Sequence, residues 1–252
     1  MSAFLDGAAM ELDHVKGISG NHWICKGKRS VAIAATLLQR NEIIAIPTDT
    51  IYGLAGLASS DSSIERLYAI KNRDRTKPLS ICVGRLSHIE RWAVVDHLPR
   101  KLLSIILPGP YTIVLRRTPA LNPALNPNHE TVGIRIPNFK FIHCVSEITG
   151  PLALTSANLS SEDSCLFASE FEHLWPKLGG VFHDCDRFGK SSKKLRTGST
   201  IVDLSEPNRY KIIRYGVGAK SLIKFLHMYG IREGVRSNED VDEEEVESLS
   251  AS

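Results

Sequence analysis

The 252-residue chain has no apolar run approaching the ~18–20 residues that a bilayer-spanning helix requires. Its longest candidate, Val31 to Leu38, contains Thr36, so integral membrane association is not expected. The first thirty residues carry Asp6, Glu11 and Asp13 and no arginine before Arg29. They lack both the apolar core of a secretory signal and the basic, acid-poor character of a transit peptide. A cytoplasmic protein is expected, with a minor mitochondrial pool from another start site left open. Cysteine is sparse: Cys25, Cys82, Cys144, Cys165 and Cys185 form no C-x-x-C pair. A zinc knuckle or dithiol redox site is unsupported, and free thiols in a reducing compartment are the simpler reading. Cys185, between Asp184 and Asp186, sits where neighbouring carboxylates disfavour a thiolate nucleophile. Gly216-Val217-Gly218-Ala219-Lys220-Ser221 has a lysine and a serine but not phosphate-loop spacing, and no G-x-S-x-G or H-E-x-x-H motif occurs. The nine histidines are scattered, and no side chain is assigned to a metal.

Apolar residues make up 42% of the chain and charged residues 23%, the ordinary mixture of a globular protein with enough length for a sizeable core. Charge is unevenly distributed. Seven of the 28 acids (Glu239, Asp240, Asp242, Glu243, Glu244, Glu245 and Glu247) follow Arg236, after which no basic residue remains. The body therefore sets all 31 basic residues against 21 acidic ones, a net charge of +10 that favours nucleotides or nucleic acid.

The spacing predicts a helix capped by Ser30 through Leu38 and a buried strand from Asn41 to Pro47. A helix opened by the capping box Ser62-Ser63-Ile64-Glu65 follows, then another from Arg100 to Ile106, stopped at Pro108-Gly109-Pro110. Tyr111 to Arg117, Val132 to Pro137, Leu152 to Thr155, Ser199 to Leu204 and Lys211 to Arg214 read as strands. Helices are expected at Phe139 to Ile148, near Glu170 to Leu174, and at Lys220 to Tyr229. Interleaved strands and helices indicate an α/β fold, with a mixed sheet rather than a strictly parallel one. Residues 1–22 are expected to be poorly ordered, 23–231 to form the domain, and 232–252 to be an acidic, disordered tail.

Four groups of residues could carry chemistry. Pro47-Thr48-Asp49-Thr50-Ile51-Tyr52-Gly53-Leu54-Ala55-Gly56 follows a buried strand, a position that suits either a ligand mouth or an ordinary turn. Lys71-Asn72-Arg73-Asp74-Arg75-Thr76-Lys77-Pro78 has a cation at every second position; in extended chain these would share a face and could converge on a polyphosphate. A solvated loop satisfies the same residues equally well. Thr155-Ser156-Ala157-Asn158, followed by Ser160, Ser161 and Ser164, offers hydroxyls and an amide to phosphate or ribose, or else ordinary turn chemistry. Arg135, inside an apolar strand, needs an anionic partner or an outlet to solvent, because an unpaired buried charge is costly.

In order and identity, the segments PTDTIYGLA (47–55), IKNRDRTKPLSICVG (70–84), LPGPYTIVL (107–115), VGIRIP (132–137), PLALTSANLSSEDS (151–164), GSTIVDLS (198–205) and IIRYG (212–216) resemble the YrdC family of threonylcarbamoyl-AMP synthases, nearest to its animal members. The resemblance covers about residues 41–218. It implies a single twisted mixed-sheet domain with a large concave basic cleft. It also implies condensation of L-threonine, bicarbonate or CO2 and ATP into threonylcarbamoyl-AMP and pyrophosphate, for tRNA modification beside the anticodon. By motif matching, Thr50, Cys82, Arg135, Leu154 and Ser199 fall on the threonine side, and Lys71 and Arg73 would be catalytic. Arg73, Lys77, Thr131, Ser156, Asn158, Ser164 and Arg214 fall on the ATP side. Mg2+ accompanying ATP, a downstream threonylcarbamoyl transferase complex and a possible tRNA contact are further implications. The stretch Ser191 to Arg196 is the candidate lid. Asp49, Cys82, Asp184-Cys185-Asp186 and Tyr215 depart from the commonest family residues. The alternatives are a basic RNA-binding module or an inactive scaffold. With only 7% aromatic residues and no RNP-type aromatic pattern, base stacking has little support.

Overall fold

The computed structural model describes residues 20–159, 163–184 and 196–234. Cys185, Ser160, Ser161, the segment 1–19, residues 191–195 of the candidate lid and the acidic tail from 235 onward lie outside the described residues. Eleven strands form one mixed sheet in the order β1 (His22–Ile24), β8 (Gly180–His183), β2 (Ile44–Ile46), β3 (Gly53–Leu57), β7 (Leu152–Ser156), β4 (Ser80–Cys82), β6 (Thr131–Arg135), β5 (Tyr111–Arg116), β9 (Thr200–Asp203), β10 (Arg209–Arg214) and β11 (Arg232–Glu233). Pairing is parallel at β1/β8, β8/β2, β4/β6, β5/β9 and β10/β11, and antiparallel at the other five junctions. The expected α/β mixed sheet is what the chain forms.

Alternation along each strand divides the apolar side chains between two faces. Ala45, Leu54, Ile81, Ile113, Ile134 and Ala153 share a core with Leu67 of α2 (Asp61–Lys71), Ile89 of α3 (Ile89–Trp92), Leu102 of α4 (Leu102–Ile106) and Leu222 of α6 (Ala219–Met228). Ile44, Ile46, Ala55, Leu152 and Leu154 point the other way. They pack beneath Ile33, Leu37 and Leu38 of α1 (Gly27–Gln39) and Phe141, Ile142 and Val145 of α5 (Lys140–Thr149). Cross-strand register carries one row of residues along this second face: Gly180, Ile44, Ala55, Leu154, Ser80, Gly133, Val114 and Asp203. Ile44, Ala55 and Leu154 lie in the core under the two helices. Ser80, Gly133, Val114 and Asp203 do not. Along this row the apolar cover stops at Ser80, although Cys82, two residues further on β4, still lies within it.

Several local readings change. Ser60, not Ser62, caps α2, accepting the Ser63 N–H at 3.2 Å. The Thr-rich turn after β2 leads into a strand, β3, paired on both sides, in which Gly56 lies where a Cβ would stand 2.8 Å from Ile43 Cδ1. Ala168–Lys177 is a 3₁₀ stretch with a non-helical Phe171, not a short α-helix from Glu170 to Leu174. The 71–78 segment is not extended. Lys71 ends α2, Asn72 caps it in the left-handed conformation (φ 47°), and a turn follows. The alternation that would have aligned four cations is therefore broken.

Candidate active site

The bare half of the second face carries a cavity of about 130 Å3. Its lining includes Gly53, Ser80, Thr112, Leu154, Ser156 and Ser199, with Arg73, Arg135 and Arg214 also contributing. Strand register explains why these residues meet: Gly53 faces Ser156, Ser80 faces both Leu154 and Gly133, and Thr112 faces Ile201. A Cβ on Gly133 would stand 2.8 Å from Ser80 Oγ and 3.0 Å from Thr112 Cγ2, so glycine is what lets these small polar side chains sit side by side. The hollow is smaller than the large cleft implied by the family resemblance, and smaller than the ~300–1,000 Å3 that encloses a drug-sized ligand.

Arg135, the last residue of β6, is only 6% exposed, and its charge is compensated. One terminal nitrogen donates to Asp49 Oδ1 at 2.6 Å, to Thr50 Oγ1 at 2.7 Å and to Thr48 Oγ1 at 3.4 Å. Asp49 is anchored in turn, its other oxygen accepting the Asn138 N–H at 2.9 Å. Arg135 Nε is buried and has no hydrogen-bond partner among the described residues. An orphaned guanidinium N–H is costly unless something outside the protein accepts it.

Arg214 reaches the cavity through a backbone irregularity. Ile212 faces Val202, but Arg214 faces Ile201, so Ile213 is an extra residue on β10. A regular ladder would set Arg214 opposite Thr200, on the reverse face; the bulge turns it to the face shared with Thr112. Its guanidinium donates to the Ser199 carbonyl at 2.8 Å and to the Ser199 hydroxyl at 3.2 Å, and that hydroxyl also bonds Thr112 Oγ1 at 2.9 Å. Gly198 (φ 67°) turns the chain beside it. Arg73 is held by its own loop, with Nε to the Lys77 carbonyl at 3.1 Å and a terminal nitrogen to the Pro78 carbonyl at 3.0 Å. Desolvation lowers the pKa of both Arg73 and Arg214, and the nearby charge of Arg135 lowers Arg214 further. A bound anion would raise both again, by favouring the charged form.

Of the residues expected from sequence, Arg73, Arg135, Leu154, Ser156, Ser199 and Arg214 line this cavity. Thr50 stands behind Arg135 as an acceptor. Lys71 is buried behind Ser156: its ammonium donates to the Ser156 carbonyl at 2.6 Å, to the Ser156 hydroxyl at 3.0 Å and to Thr155 Oγ1 at 3.3 Å. Cys82 faces Arg135 across β4/β6 but is fully buried, and burial pushes its thiol up to about 12. Lys77, Thr131, Asn158 and Ser164 do not line the cavity. Four cations of the 71–78 segment do not converge either. Arg73 alone of them lines the hollow, and Arg75 is drawn away to Glu65 and over the Tyr68 ring. Thr112, Ser80 and Gly133 went unpredicted, although small or polar residues interrupting apolar strands were the available signal. Ser164 contributes its carbonyl to Arg196, which also pairs with Glu170.

Fold and hollow together define an α/β protein with three arginines around a hollow on the uncovered half of a sheet face. A family model, Sua5/YciO/YrdC, with the description telomere recombination, matches residues 36–216. The chain belongs to that family. It is 43% identical over 199 residues to a Bos taurus threonylcarbamoyl-AMP synthase, covering 79% of this chain and 72% of the relative. The Homo sapiens threonylcarbamoyl-AMP synthase is 42% identical over 200 residues, covering 79% and 71%. Among solved structures, P. abyssi Sua5 complexed with L-threonine matches with a TM-score of 0.69 at 25% identity, covering 81% of this chain and 58% of that one. E. coli YciO matches with a TM-score of 0.67 at 21% identity, covering 78% and 94%, a likeness of fold.

Proposed function

We propose that this chain is a threonylcarbamoyl-AMP synthase, joining L-threonine, bicarbonate or CO2, and ATP. The unprotonated threonine amine adds to the carbon of CO2, supplied directly or by dehydration of bicarbonate, and releases a proton to solvent as the N–C bond of the carbamate forms. A carbamate oxygen then attacks the α-phosphorus of ATP; the new O–P bond forms as the bond from that phosphorus to pyrophosphate breaks, and pyrophosphate leaves. No protein nucleophile is required. Catalysis rests on holding two anions together and on stabilising charge at the phosphorus and the leaving group. The observation that carries this reading is the buried, unpartnered Arg135 Nε beside a hollow lined by two further arginines. Arg135 would hold the threonine carboxylate above Ser80 and Thr112. Arg73 and Arg214 would hold phosphates, with Lys71 fixing Ser156 beside them. The small hollow leaves adenosine to lie outside it, toward the expected ATP-side residues Lys77, Thr131, Asn158 and Ser164.

Mg2+ would arrive with ATP, its ligands being phosphate oxygens and water. Among the described residues no three His, Cys, Asp or Glu side chains cluster to hold an ion, and the Asp49 carboxylate is already engaged by Arg135 and Asn138. The same reading makes a transferase acting on tRNA the consumer of the product and places the protein in the cytoplasm with a minor mitochondrial pool. No helix among the described residues is long and apolar enough to cross a membrane. The test is direct: purified protein with ATP, L-threonine and bicarbonate yields the mixed anhydride, detected by mass, and omission of threonine or of the carbon source abolishes it. A protein that binds RNA in a salt-dependent way but forms no anhydride would overturn the reading.

A further inference from the structure

The three arginines of the hollow are held in two different ways. Arg135 is paired with a carboxylate, and the pair is buried, with side-chain exposures of 7% and 11%. Arg73 and Arg214 are held by neutral oxygens: the Lys77 and Pro78 carbonyls for one, the Ser199 carbonyl and hydroxyl for the other. Among the described residues neither makes an ion pair. Asp74 reaches Arg73 only through space, and its carboxylate accepts the Thr76 N–H instead. The hollow thus sets one charge-compensated guanidinium beside two uncompensated ones, with Arg135 close enough to Arg214 for their charges to oppose each other.

Those two arrangements discriminate between anions. A polyphosphate gains most where positive charge is uncompensated, and it is repelled by a fixed carboxylate. A single carboxylate gains chiefly from directed N–H donors, which Arg135 still offers through Nε. Asp49 is well placed to impose the difference. One oxygen bonds the guanidinium, the other is tied to the Asn138 backbone, and Thr48 and Thr50 fill the remaining space around the same terminal nitrogen. We infer that Asp49 is a positioning and specificity-determining residue: it aims Arg135 at a monoanionic carboxylate and keeps polyphosphate off that guanidinium, leaving the phosphates to Arg73 and Arg214. This inference rests on the synthase reading above.

The experiment measures L-threonine binding to the full chain by calorimetry, with and without inorganic tripolyphosphate as the probe. In the wild type, saturating tripolyphosphate leaves the threonine dissociation constant within about twofold. In Asp49→Asn the threonine dissociation constant rises about tenfold, and tripolyphosphate becomes a competitor of threonine. Asp49→Glu, which keeps the charge, restores independent binding. Circular dichroism establishes that the Asn variant is folded; should it not fold, the wild-type measurement still decides. Competition in the wild type, or an Asn variant that binds threonine normally without competition, overturns the inference. A wild type that forms the anhydride yet shows competition defeats this inference alone. A wild type that neither binds threonine nor forms anhydride defeats the synthase reading, and this inference with it.

Discussion

Under α1 and α5 one face of the sheet carries Ile44, Ile46, Ala55, Leu152 and Leu154. A few strands further along, the same face carries Ser80, Gly133 and Thr112, beside three arginines. The ladder of backbone hydrogen bonds runs through both halves, so what differs is the side chains and what lies over them. The first half is closed by apolar packing, which needs no ligand to be satisfied. The second leaves one buried, one half-buried and one exposed arginine facing an opening, positive charge that apolar packing does not close over. A site here comes from withholding the second layer of the fold over part of a sheet and placing charge where that layer would have been.

The comparison breaks most readily at Phe182, fully buried on the covered half between Trp23 and Phe141, with ring centroids 5.4 and 5.2 Å away. Phe182→Ala should cost about 3–5 kcal/mol of stability, read by chemical denaturation, while the folded fraction keeps its KM for threonine. A shifted KM would mean the two halves are energetically one. Arg214→Ala, on the open half, should reverse the pattern. kcat/KM should fall by about 10²–10³-fold, as for loss of a transition-state charge donor. The melting temperature should move by no more than a few degrees, since its bonds are to neutral oxygens. A large loss of stability there would erase the distinction.

A smaller effect probes the back of the covered half. His183 lies 3.0 Å from His22, and burial together with that neighbour lowers its pKa from 6.5 to about 4. The unfolded chain takes up a proton there that the folded chain refuses. The stability this residue contributes is therefore complete above pH 6.5 and is lost as pH falls toward 4, at most roughly 3 kcal/mol. His183→Asn should flatten that acid limb in denaturation measured between pH 7 and 4. An unchanged slope would assign it to other groups.

How much of this was legible in the sequence follows from which signals are local. Strands β5, β6 and β7 announce themselves as apolar runs bounded by proline or glycine, and Arg135 announces its need of a partner by sitting in one of them. The partner itself, Asp49, is 86 residues distant, and nothing along the chain joins the two. β4 and β8, at three and four residues, are too short to display a period. In the 71–78 segment, spacing suggested extended chain because the left-handed Asn72 is a conformation, not a composition. Motif order names six residues that line the hollow, whereas Thr112, Ser80 and Gly133 become visible only once strand register is known.

The extra residue at Ile213 has a consequence for how such a site varies. Arg214's aim is encoded by a count of residues along β10: removing the extra residue between Ile212 and Arg214 would close the ladder with Arg214 still opposite Ile201, whereas straightening the bulge with that residue kept, or adding one more, would set the guanidinium opposite Thr200 on the other side of the sheet. The third positive charge of the hollow is therefore tolerant of a deletion at the bulge and fragile to an insertion there, an asymmetry that composition alone does not register.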